Sequence, residues 1–239
     1  MKSEMRSRAY TRVDMASKIL RRSGVSVGLV CERLGWRPDW VVQVGVGFNH
    51  EECDVLSAEW PETKWIGFEP HPGIASKIKY PGQLINKAVG GFEGKVLLSM
   101  KSRHADGSSL KQFPQDVSVR EVLVEVTTLD RHFQLPAPDN ILLWLDCEGS
   151  ELNVLHGATE FLRGVEMINI EMTPKPTGIG WPSTVQVHDF LTATGFWLQW
   201  THTTRETQYD AVYVRQHLFK PEYCICPFTI KAYNKVVKR

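Results

Sequence analysis

Short apolar runs alternate with longer amphipathic stretches along this chain, and the alternation predicts strands and helices in turn. Val27, Val30, Cys31 and Leu34 recur at helical spacing, and Gly35 and Pro38 close that helix. The run VVQVGVG (41–47) follows, an apolar strand ending in glycines, and then a helix through Val55 and Leu56. KWIGFEP (64–70) repeats the theme as a buried strand that ends in an acid, and QLINKAV (83–89) reads as a third strand. Strands alternating with helices imply parallel strands joined by right-handed crossovers, hence a doubly wound α/β sheet.

The stretch 94–127 breaks the rhythm. KVLLSM and EVLVEVTTL read as two β segments flanking a polar stretch with Gly107, Ser108 and Ser109, a hairpin-like excursion attached to the main sheet. A short helix from Leu129 to Phe133 precedes the apolar strand 141–145, which runs into an acidic turn. The next helix carries Leu152, Leu155, Ala158 and Leu162 on one face. MINIEM (167–172) is a further strand, and Ser183 N-caps the helix through Leu191. FWLQW (196–200) and YDAVYVRQ (209–216), joined by few residues, form a last, antiparallel pair. Residues 27–239 read as one domain, preceded by a basic helical extension over 1–26.

That extension holds Lys2, Arg6, Arg8, Arg12, Lys18, Arg21 and Arg22 against only Glu4 and Asp14. It reads as a solvated leading helix, the alternatives being contact with an anionic membrane, nucleic acid or acidic partner, or a transit peptide. Elsewhere composition changes little: 42% hydrophobic residues, 23% charged residues and a formal net charge of +1 argue against disorder and against a chain built for nucleic acid. No apolar run reaches the length of a membrane span. Five cysteines, none in a C-x-x-C pair, leave no disulfide or zinc framework; Cys224-x-Cys226 is a poor metal site without a nearby histidine. Free thiols suggest a reducing, cytoplasmic location. No oligomeric state follows from the pattern.

In an open parallel sheet, ligands bind beyond the carboxyl ends of the strands, so the residues after each strand carry the chemistry. After the first strand lie Gly45-Val46-Gly47-Phe48-Asn49-His50, where glycines admit close backbone approach and a helix begins. Glu69 ends the second strand and is placed to accept both hydroxyls of a ribose. The strand 141–145 delivers Asp146-Cys147-Glu148-Gly149-Ser150-Glu151. Compensation of the helix dipole accounts for Glu148 and Glu151 there. It accounts less well for Asp146, which belongs at the strand tip facing a cationic ligand or a substrate hydroxyl.

In order, Gly45–Gly47, Phe68-Glu69-Pro70, Ala88-Val89-Gly90, Ser108-Ser109-Leu110, Thr128-Leu129-Asp130, Asp146-x-Glu148-Gly149-x-Glu151 and Ile170-Glu171 resemble the FkbM family of methyltransferases over about 40–172. The resemblance implies a Rossmann-like methyltransferase fold. It would have a mostly parallel seven-stranded sheet with helices on both faces, one antiparallel strand and a small β excursion. It implies S-adenosylmethionine as methyl donor and a hydroxyl on a sugar, glycan or other small molecule as acceptor. Carried over by position, the cofactor residues are Gln43, Gly45, Gly47, Asn49, Glu69, Pro70, Ala88 and Asp146. The chain departs from the family pattern at Gln43, where an acid is usual, and at Trp144, where lysine is common. In the first turn, glycine and asparagine are exchanged.

A hydroxyl acceptor must lose a proton, and Asp146, Glu148 and Glu171 are the candidate bases in that order. His50 and His71 follow strand tips and are weaker candidates. No spacing demands a metal ion, so a metal-free site is expected. Trp181, in the loop TPKPTGIGWPS, is a candidate lid over the acceptor or else a tryptophan packed on the core. Acceptor contacts are expected from 101–120, 173–184 and the C-terminal tail. Two rival readings stand. One is a nicotinamide-dependent oxidoreductase, disfavoured because His50 occupies the place of the third fingerprint glycine. The other is a binding module that keeps the fold without turnover, favoured by Gln43 and Trp144.

Overall fold

The computed structural model describes residues 27–48, 51–101, 108–110, 119–134, 136–174, 179–205 and 208–223. The basic extension 1–26, Asn49, His50 and Cys224-x-Cys226 lie outside the described residues. The chain opens with α1 (Val27–Leu34), β1 (Trp40–Val44), α2 (Glu51–Glu59), β2 (Lys64–Phe68), α3 (Pro72–Ala75) and β3 (Gln83–Ile85). Four strands and a helix follow: β4 (Ala88–Val89), β5 (Gly94–Lys101), β6 (Ser108–Ser109), β7 (Val119–Thr127) and α4 (Leu129–Phe133). The last elements are β8 (Ile141–Leu145), α5 (Glu151–His156), β9 (Val165–Met172), α6 (Thr184–Ala193), β10 (Phe196–Arg205) and β11 (Gln208–Arg215).

Seven strands form the main sheet in the order β10-β11-β9-β8-β1-β2-β3. Neighbours are parallel except β11, which runs antiparallel to both β9 and β10. The mostly parallel sheet with one antiparallel strand is therefore as expected. The central strands are apolar on both faces because both faces are covered. Val42, Val44, Leu143 and Leu145 pack with Val154 and Leu155 of α5 and with Val187 and Leu191 of α6. On the other face Val41 and Leu142 meet Val30 and Cys31 of α1 and Cys53 and Leu56 of α2. Chain order reverses between β1 and β8, which puts the ligand-binding crevice of a doubly wound sheet beyond their carboxyl ends.

Three elements differ from the sequence expectation, each for a local reason. The stretch 83–89 is two strands in two sheets: β3 pairs with β2, whereas β4 pairs with β7. Asn86 makes the break, its side-chain amide donating to the carbonyls of Glu69 and Pro70. The excursion is a sheet of its own, ordered β4-β7-β5-β6, with Ala88, Leu98, Val124 and Val126 as its core. The helix after the acidic turn stops at His156. Gly157 packs so closely on Gly90 that a Cβ there would lie 2.1 Å from the Gly90 carbonyl oxygen. Ala158 and Leu162 still reach the core, through a 3-10 turn at Phe161–Gly164. The Asp130 carboxylate fastens that turn by accepting from the Glu160 and Phe161 N–H groups. Ser183 N-caps α6 in a reciprocal pair with Gln186, as its position suggested.

Candidate functional site

The two glycines of the first turn do different work. At Gly45 (φ +83°) a Cβ would stand 1.8 Å from the carbonyl oxygen of Asp146, so glycine is what lets the tips of β1 and β8 touch. The contact continues the ladder: Asp146 N–H donates to Val44 O at 3.0 Å, and Gly45 N–H to Phe68 O at 2.9 Å. Gly47 is also left-handed (φ +59°), yet no other described residue, its chain neighbours aside, lies within 4 Å of where its Cβ would be. The backbone there faces open space that a ligand can enter.

Glu69 is buried beside that opening, at 4% exposure. Its Oε2 accepts from Gly47 N–H at 2.9 Å and its Oε1 from His71 N–H at 2.8 Å, which fixes the carboxylate against the glycine turn. His71 is occupied as a cap: its Nδ1 accepts from Gly73 and Ile74 N–H at the start of α3. Gln43 is buried beneath α2 and accepts a hydrogen bond from the Cys53 thiol at 3.1 Å. Pro70 follows Glu69 and its carbonyl receives Asn86. Ala88 packs its side chain into the core of the small sheet.

Opposite stands the acidic turn. Glu151 folds it, its Oε1 accepting from Cys147 N–H at 3.3 Å and Gly149 N–H at 3.1 Å. Burial pushes the Glu151 carboxyl up to about 6, with backbone donors opposing the shift. Glu148 and Gly149 both take left-handed backbone, φ +48° and +90°. For a non-glycine residue that conformation is strained and persists only where surroundings impose it. Here Ser109 of β6 donates its hydroxyl to the Glu148 carbonyl at 2.6 Å, so the small sheet braces the acidic turn. Trp181 lies on Gly149, whose Cβ would meet the indole ring at 2.3 Å. It is 8% exposed, which makes it a wall of the acidic turn rather than an open platform.

Glu171, near the end of β9, completes the edge. Burial first, then Asp146 and Glu148, push its carboxyl up to about 9. Asp210 is the residue that sequence reasoning missed. It lies opposite Glu171 in the β9–β11 register, and burial together with Asp146 pushes it up to about 7. The available signal was an acid inside the apolar run YDAVYV, which solvation of a strand face does not demand. Asp146, Glu148, Glu171 and Asp210 thus interact at one edge, and Glu69 lies at the glycine turn against which the Asp146 tip packs. Among the described residues no group of three or more His, Cys, Asp or Glu side chains is arranged to hold a metal ion.

The open left-handed glycine, the pinned acid after β2 and the acid at the tip of β8 line the crevice where doubly wound sheets bind their ligands. The chain belongs to the methyltransferase FkbM family, whose domain matches residues 43–198. Solved structures similar to it include the magnesium protoporphyrin IX methyltransferase of Synechocystis PCC 6803 with bound SAM. That match has 9% identity, covers 87% of this chain and 79% of that one, and has a TM-score of 0.44. The plantazolicin methyltransferase BpumL in complex with SAH matches at 11% identity over 90% and 87% of the two chains, TM-score 0.44. The precorrin-6y C5,15-methyltransferase of Geobacter metallireducens GS-15 matches at 12% identity over 79% and 88%, TM-score 0.42. No curated protein matches the sequence. No helix among the described residues is long and apolar enough to cross a membrane.

Proposed function

We propose that the protein transfers a methyl group from S-adenosylmethionine to a hydroxyl of a sugar, glycan or other small molecule. The observation that carries this reading is the pairing of Gly47 and Glu69. An unfilled left-handed backbone position sits beside a buried carboxylate already oriented by two N–H donors. These residues suit a nucleoside: Glu69 meets the ribose hydroxyls while the Gly47 backbone lets the ligand approach. Asp146, at the tip of β8, suits the cationic end of the same molecule. The bound donor supplies an electrophilic methyl on a sulfonium. The chain supplies alignment, exclusion of water and a place for the acceptor's proton. Asp146, Glu148 and Glu171 are the carboxylates that line the side of the cleft where that proton can go. Glu148 stands in a left-handed turn, and burial with neighbouring acids keeps Glu171 protonated at neutral pH, so Glu171 is the proton-holding member of the group. Cys31, Cys53 and Cys147 are free thiols, consistent with a reducing, cytoplasmic setting.

The test is a thermal-shift and calorimetric comparison of S-adenosylhomocysteine with NAD, followed by labelled methyl transfer to a panel of alcohols and glycans. Stabilisation by S-adenosylhomocysteine and transfer to a hydroxyl are expected; stabilisation by NAD alone would sink the reading. Asp146→Asn should lower turnover about a hundredfold with a nearly unchanged melting temperature. A second reading, a cofactor-binding module without turnover, draws support from Gln43, whose side-chain oxygen is engaged by the Cys53 thiol. Tight cofactor binding with no transfer to any acceptor would favour it.

A further inference from the structure

Because β11 runs antiparallel between β9 and β10, its first residues reach the carboxyl edge where the parallel strands end. Register sets Asp210 opposite Glu171 on one side and His202 on the other. Residues directly opposite on paired strands project from the same face with Cβ atoms roughly 5 Å apart. Ile170, Met172, Ala211 and Tyr213 belong to the larger core, so Glu171 and Asp210 project from the reverse face, over Met167 and Val212. The charged groups that raise this pair most are carboxylates: Asp146, Glu148 and Glu151 on Glu171, and Asp146 and Glu52 on Asp210. Gln208 donates its amide to Glu171 Oε2 at 2.8 Å.

Two donors in and on the acidic turn that borders this pair have nothing to donate to among the described residues. The Trp181 indole N–H belongs to the ring lying on Gly149, in the middle of the acidic turn. The Ser150 hydroxyl, in the same turn, is wholly buried. Buried donors without partners are rare because each forfeits a hydrogen bond it had in water, and a bound ligand that offers an acceptor restores it.

We propose that Asp210 and Glu171 hold one proton between them on the acceptor side of the cleft, and that Asp210 takes the acceptor's proton during methyl transfer. This rests on the methyltransferase reading above. Two adjacent carboxylates in a half-dry site do not both ionise readily, so the proton that stays on Glu171 leaves Asp210 as the base. In the step itself, a lone pair of the hydroxyl oxygen forms the new carbon–oxygen bond. The carbon–sulfur bond breaks with its pair retained by sulfur, and the hydroxyl proton passes to the Asp210 carboxylate. His202, on the far side of Asp210, is the titratable neighbour on the third strand.

The sulfonium supplies one more positive charge than the thioether product, and a positive charge near the pair favours its ionised form. S-adenosylmethionine should therefore expel more of the shared proton than S-adenosylhomocysteine does. Calorimetry of both ligands at neutral pH, in buffers of different ionisation enthalpy, counts the protons released. The wild type should release more with S-adenosylmethionine, and the excess should vanish in Glu171→Gln and shrink in Asp210→Asn. Equal counts for the two ligands, or an excess untouched in both variants, would overturn the pair. Infrared spectra provide a readout that needs no ligand: a protonated carboxyl band at neutral pH, absent in Glu171→Gln and titrating at lower pH in Asp210→Asn. Absence of that band in the wild type refutes the pair even if methyl transfer is demonstrated. Its presence with no cofactor binding would refute the methyltransferase reading and leave the pair standing. Once an acceptor is in hand, Asp210→Asn should slow transfer about a hundredfold and alter its pH profile; an unchanged rate and profile would remove Asp210 as the base.

Discussion

The two walls of the cleft hold their carboxylates in opposite ways. On the glycine side, Glu69 has a backbone N–H on each oxygen, from Gly47 and His71. On the acid side, Glu171 and Asp210 are surrounded by Asp146, Glu148, Glu151 and Glu52. Backbone donors on both oxygens immobilise the carboxylate, which suits a group that positions a ligand. Burial, and then crowding with other acids, disfavours ionisation there, and such perturbed groups cluster at sites that exchange a proton or bind a cation. On the proposed function, the contrast suits one wall to positioning and the other to proton chemistry.

The contrast can be broken most completely at the point where the walls join. Gly45→Ala would drive a Cβ into the Asp146 carbonyl in a left-handed backbone, so β1 and β8 must part. We expect a loss of roughly 3 kcal/mol or more, read from urea denaturation, with both walls disrupted together. Near-native stability would mean that the contact of the strand tips is not what organises the site. Glu69→Ala comes next. It removes a charged acceptor and frees two N–H groups, so affinity for S-adenosylhomocysteine should fall ten- to a hundredfold, about 1.5–3 kcal/mol. Calorimetry that finds unaltered affinity would strip Glu69 of its positioning role.

Glu171→Gln probes the other wall through pH. The folded-state value of Glu171 is about 9, above its ordinary 4.5, so the folded protein binds the proton more tightly than the unfolded chain. This contribution favours folding below the ordinary value and is lost as pH rises through the window up to about 9. Glutamine does not titrate. The variant should therefore match the wild type near pH 5 and melt at a higher temperature near pH 8. A variant less stable than the wild type at pH 8 would show that Glu171 is not crowded by like charge. The smallest effect on stability belongs to Gly47→Ala, whose Cβ meets no other described residue beyond its chain neighbours and carries left-handed strain of about 1 kcal/mol. Its thermal shift should be slight, while S-adenosylhomocysteine binding weakens because the methyl group intrudes where the ligand approaches.

Much of this was legible because it is local. The apolar runs of β1, β2 and β8 are buried on both faces, and a polar tip after such a run has few structural uses. That reasoning placed Gly45, Glu69 and Asp146 at the tips of β1, β2 and β8 from neighbouring residues alone. Locality could not show that His71, a weaker candidate after a strand tip, spends its Nδ1 on the first turn of α3. It also ran 83–89 together, since only the contact of Asn86 with Glu69 and Pro70, residues distant in sequence, divides that stretch.

By itself, then, the sequence determined the alternation of elements, the doubly wound class and the residues at the tips of the parallel strands, because each depends on periodicity and on the few residues after a strand. Only the tertiary structure decided which acids meet. Strand pairing is non-local, and a strand's direction decides which of its ends reaches the cleft. Inserting β11 antiparallel beside β9 carried Asp210 from the start of a strand to the edge where the others finish. Docking β6 against the acidic turn joined Ser109 to Glu148. No pattern within a single segment encodes either meeting.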